Sequence, residues 1–202
     1  MKPTAVLFDI GNVFVQWDPK FLYQKLITDE DELAAFLNEV VTLEWHSEHD
    51  RGLPFAQGVE ILSQKFPEYE DLIRAFDTRW AETIGDQIQG TADIMLELIE
   101  RGIGVYGLTN FSTEKWPEFC RDFDFTDHFD GVVVSGEEKL IKPDPRIFHT
   151  ALSRFNLDPE RTIFVDDRLE NVLAAEQLDM IGHQFFSPSG LRDALVQRGM
   201  IE

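Results

Sequence analysis

The sequence contains a single cysteine, Cys120, so no internal disulfide is available and stability must come from packing, as suits a reducing compartment. It has no apolar run approaching the roughly 20 residues that a membrane helix requires, and Ala5 to Phe8 is too short for the core of a signal peptide. Basic residues are also scarce: 18 Lys and Arg face 38 Asp and Glu, a formal charge of -20. Such a field repels the phosphates of nucleic acids and of anionic membranes, so neither is an expected partner; the cytoplasmic location expected here rests instead on the short apolar runs. A small phosphorylated molecule meets the same repulsion and needs a local positive centre, a metal ion with a few placed basic residues. Apart from that, the excess acid reads as a device for solubility.

What is present suffices for a core. Of the 202 residues 43% are hydrophobic and 12% aromatic, which suits one compact domain or a core with a modest insertion. Four short apolar runs have the length of strands buried on both faces of a parallel sheet: Ala5 to Phe8, Gly104 to Leu108, Gly131 to Val134 and Thr162 to Val165. They end in polar groups, respectively Asp9, Thr109, Ser135 and the pair Asp166 and Asp167. A fifth run, Ile181 to Phe186, extends the set. Segments of helical spacing alternate with them: Ala92 to Arg101 closed by Gly102, Pro145 to Phe155 opened by Asp144, and Leu169 to Leu178. This alternation predicts a doubly wound α/β fold with a parallel sheet, whose ligand crevice lies beyond the carboxyl ends of the strands.

From Trp17 to about Gln89 the alternation stops. That stretch offers amphipathic helices at Lys20 to Ile27, Asp29 to Leu43, Phe55 to Phe66 and Tyr69 to Ile84, and no convincing strand. The expected organisation is a core of residues 1–16 and 90–202 with a helical cap, residues 17–89, inserted between them.

Four ordered segments, Leu7-Phe8-Asp9-Ile10-Gly11-Asn12-Val13, Leu108-Thr109-Asn110, Ile141-Lys142-Pro143-Asp144-Pro145 and Phe164-Val165-Asp166-Asp167, resemble the four motifs of the haloacid dehalogenase superfamily. The match spans the core, with the insertion directly after the first motif as in members with a helical cap. The charges suit the chemistry that the resemblance implies. A carboxylate at a buried strand end, Asp9, can attack phosphorus in line and form an aspartyl-phosphate. Anion attacking anion requires neutralisation, and Asp9 with Asp167 supplies hard oxygen ligands for Mg2+. The family pattern adds the backbone carbonyl of Gly11 to the metal site and has Asp166 orient a metal-bound water. Thr109 and Asn110 would donate hydrogen bonds to the transferring phosphoryl group, and Lys142 would tether Asp9 and stabilise negative charge. Pro143 favours an extended backbone at Lys142 and helps to aim it. Lys139, among Gly136, Glu137 and Glu138, reads as a solvated surface charge. Asn171 would secure a motif loop. Singly, each residue has a plainer reading: Asp9, Thr109 and Asn110 as turn residues, Asp166 and Asp167 as caps of the following helix.

The resemblance breaks at one place. Most phosphatases of this superfamily carry a second aspartate two residues after the nucleophile, as proton donor to the leaving oxygen and later base for water; here that position is Gly11. Phe8-Asp9-Ile10-Gly11-Asn12-Val13 is similar to the opening motif of a bacterial branch that includes alpha-D-glucose-1-phosphate phosphatases, which implies a sugar phosphate or a similar small metabolite. The cap segment Trp45 to Gly52 offers His46 or His49 as a replacement proton donor and Arg51 as a grip on substrate, although histidines on a charged helix end are commonly surface residues and Arg51 equally suits a helix C-terminus. The rival readings are a metal-free 2-haloacid dehalogenase, disfavoured because two adjacent carboxylates beside Asp9 would repel one another without a cation, a phosphotransferase or mutase, and a non-catalytic phosphate-binding module.

Overall fold

The computed structural model describes residues 2–202. Its main sheet has five parallel strands, β1 (Ala5–Phe8), β4 (Gly104–Thr109), β5 (Gly131–Val134), β6 (Thr162–Asp166) and β7 (Ile181–Gln184), in the spatial order β5-β4-β1-β6-β7. Alternate residues of the apolar runs face opposite sides. Val6 and Phe8 of β1 point into one layer with Val105, Ile163 and Val165, whereas Leu7 points into the other with Leu108, Val133 and Phe164. Helices α6 (Gln89–Glu100) and α11 (Pro188–Gln197) contribute Ile94, Met95, Leu191 and Leu195 to the first layer. Helices α9 (Pro145–Arg154) and α10 (Leu169–Glu176) contribute Ile147, Phe148 and Ala175 to the second. The chain leaves β1 toward β4 and leaves β6 toward β7, so the strand order reverses between β1 and β6, the switch point where the crevice of such sheets opens.

Local chemistry accounts for the boundaries. Gly102, at φ 72°, ends α6 in a left-handed cap closed by the Ile103 N–H on the Leu98 carbonyl, 3.0 Å. Asp144 caps α9 by accepting from the Arg146 N–H, 2.9 Å, with Pro145 at the first helical position. Helices α7 (Trp116–Asp122) and α8 (Ser135–Glu138) fill the remaining core connections.

The insertion carries α1 (Lys20–Tyr23), α2 (Glu30–Glu39), α3 (Leu43–Asp50), α4 (Phe55–Lys65) and α5 (Glu70–Thr78). Three sequence expectations need correction here. First, the stretch is not free of strands: β2 (Val15–Trp17) and β3 (Ile84–Gln87) pair antiparallel at its root. Ile84-Gly85-Asp86-Gln87 has no apolar alternation, and the pairing rests on the backbone, reinforced by Asp18 N–H to Thr83 O, 3.0 Å, and Ile88 N–H to Phe14 O, 2.7 Å. Second, Asp29 to Leu43 is not one helix. The β-branched run Val40-Val41-Thr42 breaks it, and the Thr42 hydroxyl starts α3 by accepting from the Trp45 N–H, 3.1 Å. Third, α5 stops at Thr78, whose hydroxyl turns back to the Arg74 carbonyl, 3.1 Å, ahead of a 3-10 turn at Trp80–Thr83.

Helix α3 packs on α4 through a socket at Gly58. The His49 ring stacks on Phe55 at 4.3 Å between centroids, and a Cβ added to Gly58 would lie 2.2 Å from His49 Cε1. Gly58→Ala is therefore expected to lower stability: overpacking costs about 1–3 kcal/mol, against roughly 1 kcal/mol that alanine gains in a helix. Thermal melting checks it, with a fall of a few degrees expected; an unchanged or higher midpoint would show that the ring does not fill this socket.

Candidate active site

The polar strand ends converge as the switch-point argument requires. Asp9 follows β1, Asp166 closes β6, and Asp167 comes next; each offers a carboxylate oxygen within 4.8 Å of the others'. Lys142, from the loop before α9, reaches into this group with its side chain almost wholly buried. Its ammonium lies 2.8 Å from Asp9 Oδ1 and donates to Asp166 Oδ2 and to the Leu108 carbonyl, both at 2.8 Å, so its three protons have three acceptors.

The carboxylates differ in what remains free. Asp9 Oδ1 accepts from the Ile10 N–H at 2.7 Å besides its contact with Lys142, while Oδ2 accepts no hydrogen bond among the described residues. Asp166 is saturated: Oδ1 takes the Arg168 N–H at 2.9 Å, and both oxygens take Asn171 Nδ2 at 3.0 Å. Asn171 thus anchors Asp166. Burial drives the Asp9 carboxyl up to about 8; Lys142 pulls it down, and the Asp166 and Asp167 charges push it up again. Asp167 is raised as well, by burial and then by Asp166. Burial works against the Lys142 charge, but the Asp166 and Asp9 carboxylates outweigh it and hold the ammonium above its ordinary value. Three carboxylates against one ammonium leave a demand for positive charge that a hard divalent cation meets, and the oxygen-only donor set is the kind Mg2+ takes. Asp9 and Asp167 would hold it directly, and the occupied oxygens of Asp166 suit a place behind them.

Gly11 and Asn12 form the turn after Asp9. Asn12 adopts φ 56°, a left-handed conformation that asparagine tolerates, and its Oδ1 accepts from the Trp17 N–H at 3.0 Å. A Cβ built on Gly11 would meet nothing within 4 Å, so no neighbour forbids a side chain there.

A cavity of about 630 Å³ opens above Asp9, reaching Gly11, Asn110, Lys142 and Asp167 below and residues of the insertion above. Trp17, Leu43, Trp80, Ile84 and Phe111 give it apolar walls. Thr109, at the end of β4, is buried and does not line this cavity. Asn110 does line it, but its amide is largely engaged: Oδ1 accepts from the Lys142 N–H at 2.8 Å and Nδ2 donates to the Lys142 carbonyl at 3.2 Å. Its observed contacts therefore position Lys142, a different task from the phosphoryl contact expected of it.

The cap residues divide. His46 lines the cavity, its ring 4.6 Å from Trp17; burial lowers its pKa to about 4, so it stays neutral. His49 is fully buried outside the lining, donates from Nδ1 to the Leu53 carbonyl at 3.0 Å, and is likewise lowered by burial. Arg51 points into solvent, bonded to Ser47 Oγ and Glu48 Oε1 at 2.9 and 2.7 Å. His49 and Arg51 are thus structural and surface groups in this arrangement. Conversely, Asp50 and Arg168 line the cavity and are absent from the residues the sequence singles out. The spacing of Asp50 four residues after His46 is the signal that would have found it, since it puts both on one helical face.

The chain is 27% identical over 180 residues to a sesquiterpene phosphatase of Aspergillus oryzae, covering 88% of this chain and 87% of that protein. It is 24% identical over 179 residues to a drimenol cyclase of Aspergillus calidoustus, 87% of this chain but 33% of the relative, so it spans about a third of that protein's length. Among solved structures, an enzyme of Bacteroides thetaiotaomicron in complex with magnesium and inorganic phosphate superposes with a TM-score of 0.73 at 22% identity, covering 92% of this chain and 95% of the other. The family model of the haloacid dehalogenase-like hydrolases matches residues 3–179, nearly the whole length over which the strand ends, the insertion and the buried lysine are laid out, and the chain belongs to that family of hydrolases.

Proposed function

We propose that this chain is an Mg2+-dependent phosphatase that hydrolyses a small phosphorylated metabolite through an aspartyl-phosphate on Asp9. The observation that carries this reading is the placing of Asp9, Asp166 and Asp167 around one buried lysine at the switch point of the sheet. Bound Mg2+ supplies neutralisation of the phosphoryl oxygens and fixes their orientation. Asp9 Oδ2, free of hydrogen bonds among the described residues, serves as attacking atom or metal ligand, while the Ile10 N–H and Lys142 hold the carboxylate in place. Lys142 neutralises charge as the phosphoryl group arrives, and Asn110 keeps the lysine backbone aimed.

The substrate's organic part is a finer matter. A sugar phosphate rests on the opening motif. The apolar walls of the cavity favour a second reading, an ester whose organic part is itself largely apolar, and the likeness to a sesquiterpene phosphatase supports it. The test is phosphate release from a panel that includes glucose 1-phosphate and farnesyl phosphate, with Mg2+ and with excess chelator. Turnover that stops with the chelator and returns with Mg2+ is expected, the ranking deciding between the two esters. Chloride released from 2-chloropropionate regardless of chelator, with no phosphate released, would replace the phosphatase by a dehalogenase. A phosphorylated acceptor in place of free phosphate would make it a phosphotransferase or mutase, and binding of Mg2+ and phosphate without turnover would make it a binding module.

A further inference from the structure

In-line attack by Asp9 places the leaving oxygen on the opposite side of phosphorus, toward the insertion. A proton donor is needed on that side, and Gly11 supplies none. The last residue of α3, Asp50, is 6% exposed and lines the same cavity as Asp9 and Gly11. Its carboxyl oxygens receive no hydrogen bond among the described residues, and His46 Nε2 lies 3.5 Å from Oδ2. Its oxygens are not fully enclosed, so the carboxyl opens to the cavity, where it can meet a bound molecule. The backbone around it is held firmly to the core. Ser135 Oγ donates to the Asp50 carbonyl at 2.6 Å and accepts from the Phe111 N–H at 2.9 Å, tying the end of α3 to the loops after β4 and β5. Two residues on, Gly52 at φ 94° passes so near the core that a Cβ would lie 2.9 Å from the Gly136 carbonyl oxygen.

We propose that Asp50 is the general acid and base of this enzyme, in place of the aspartate that position 11 lacks. The proposal rests on the phosphatase reading above. In the first step an Asp9 oxygen bonds to phosphorus while the ester P–O bond breaks; the electron pair goes to the ester oxygen, which takes the Asp50 proton and departs as the alcohol. In the second, the Asp50 carboxylate takes a proton from water as the water oxygen bonds to phosphorus; the bond to Asp9 breaks, returning its pair to the carboxylate, and phosphate leaves. Burial holds the Asp50 carboxyl up to about 7 against the opposing pull of His49, Lys142 and Arg51, so it carries a proton in an appreciable fraction of molecules near neutrality. His46, neutral, has no proton to spare as an acid, and its buried Nδ1 lacks a partner among the described residues.

The test compares wild type and Asp50→Asn, with Asp50→Ser alongside, on an alkyl phosphate and on p-nitrophenyl phosphate, all with saturating Mg2+. An alkoxide leaves poorly without a proton, whereas p-nitrophenolate leaves well. The expected result is a fall in kcat/KM of about 100 to 10,000-fold on the alkyl ester and of less than about 10-fold on the nitrophenyl ester, which gives a burst of one nitrophenol per enzyme before slow turnover. Adding Gly11→Asp to either variant, where a side chain has room, is expected to restore part of the loss on the alkyl ester. Equal losses on both esters, or none on either, would overturn the proposal. Wild-type turnover that Asp9→Asn removes is the control: without it the phosphatase reading fails and this proposal with it, whereas a failure confined to the Asp50 variants leaves that reading standing.

Discussion

Asp9→Asn is expected to abolish phosphate release, by about 10⁶-fold, while leaving the protein as stable as wild type or more so. The two effects separate because the carboxylate is an asset to chemistry and a cost to folding. Buried beside Asp166 and Asp167, it is driven up to about 8 and so resists ionisation without a cation. An amide at the same place can still accept, through its oxygen, from the Ile10 N–H and from Lys142 at the lengths now seen, 2.7 and 2.8 Å, but it brings no negative charge. It also loses a carboxylate ligand, so Mg2+ should raise the melting temperature of wild type by more than that of the variant. Phosphate release measured beside thermal melting checks both halves. Residual activity within about 100-fold of wild type, in a preparation free of wild-type enzyme, would place the nucleophile elsewhere.

Most of the chemical layout was legible because parallel strands buried on both faces read as apolar runs whose polar ends fall on the crevice side of the sheet, although Thr109 and Ser135 end such runs without lining the cavity. The strand-end positions of Asp9, Asp166 and Asp167 follow from those runs, while their roles, and Lys142 from its loop, came through the motif resemblance. The insertion was less legible. β2 and β3 are joined by backbone hydrogen bonds and carry Gly85, Asp86 and Gln87, so no alternation announces them. The break between α2 and α3 depends on the Thr42 hydroxyl choosing a cap over a continued helix. The task of Asn110 was hidden for a different reason: its partner is the backbone of Lys142, 32 residues away, and a peptide group leaves no mark in the sequence. Asp50 was hidden among His46, His49 and Arg51, whose side chains are chemically more conspicuous yet of which His46 alone reaches the cavity.

Lys142→Met should be among the most destabilising single changes available to this chain. The side chain is 1% exposed, and among the described residues its ammonium is the one cation in contact with both Asp9 and Asp166, whose side chains are 11% and 0% exposed. Methionine fills a similar volume but leaves the carboxylates unpaired and the Leu108 carbonyl without its donor. Breaking a buried ion pair from one side costs about 3–5 kcal/mol, which for a chain of this size lowers the melting temperature by roughly 10 °C. The loss must depend on pH, and its sign follows from the direction of the Asp9 shift. Its folded pKa, about 8 in wild type, lies above the ordinary 3.8, and removing the ammonium raises it further. The folded variant therefore binds more protons than the unfolded chain over that window, so its stability falls as pH rises from about 4 toward and beyond 8. The gap between wild type and variant should be smaller at pH 6, where Asp9 carries a proton in both folded proteins, and larger at pH 9, where the wild type ionises it beside the ammonium and the variant resists doing so. Mg2+ should narrow the gap at pH 9 by supplying charge to the same oxygens, without restoring turnover. Melting curves at the two pH values, with and without Mg2+, check all of this; a gap independent of pH and metal would mean that Lys142 contributes packing alone and does not hold the carboxylates together.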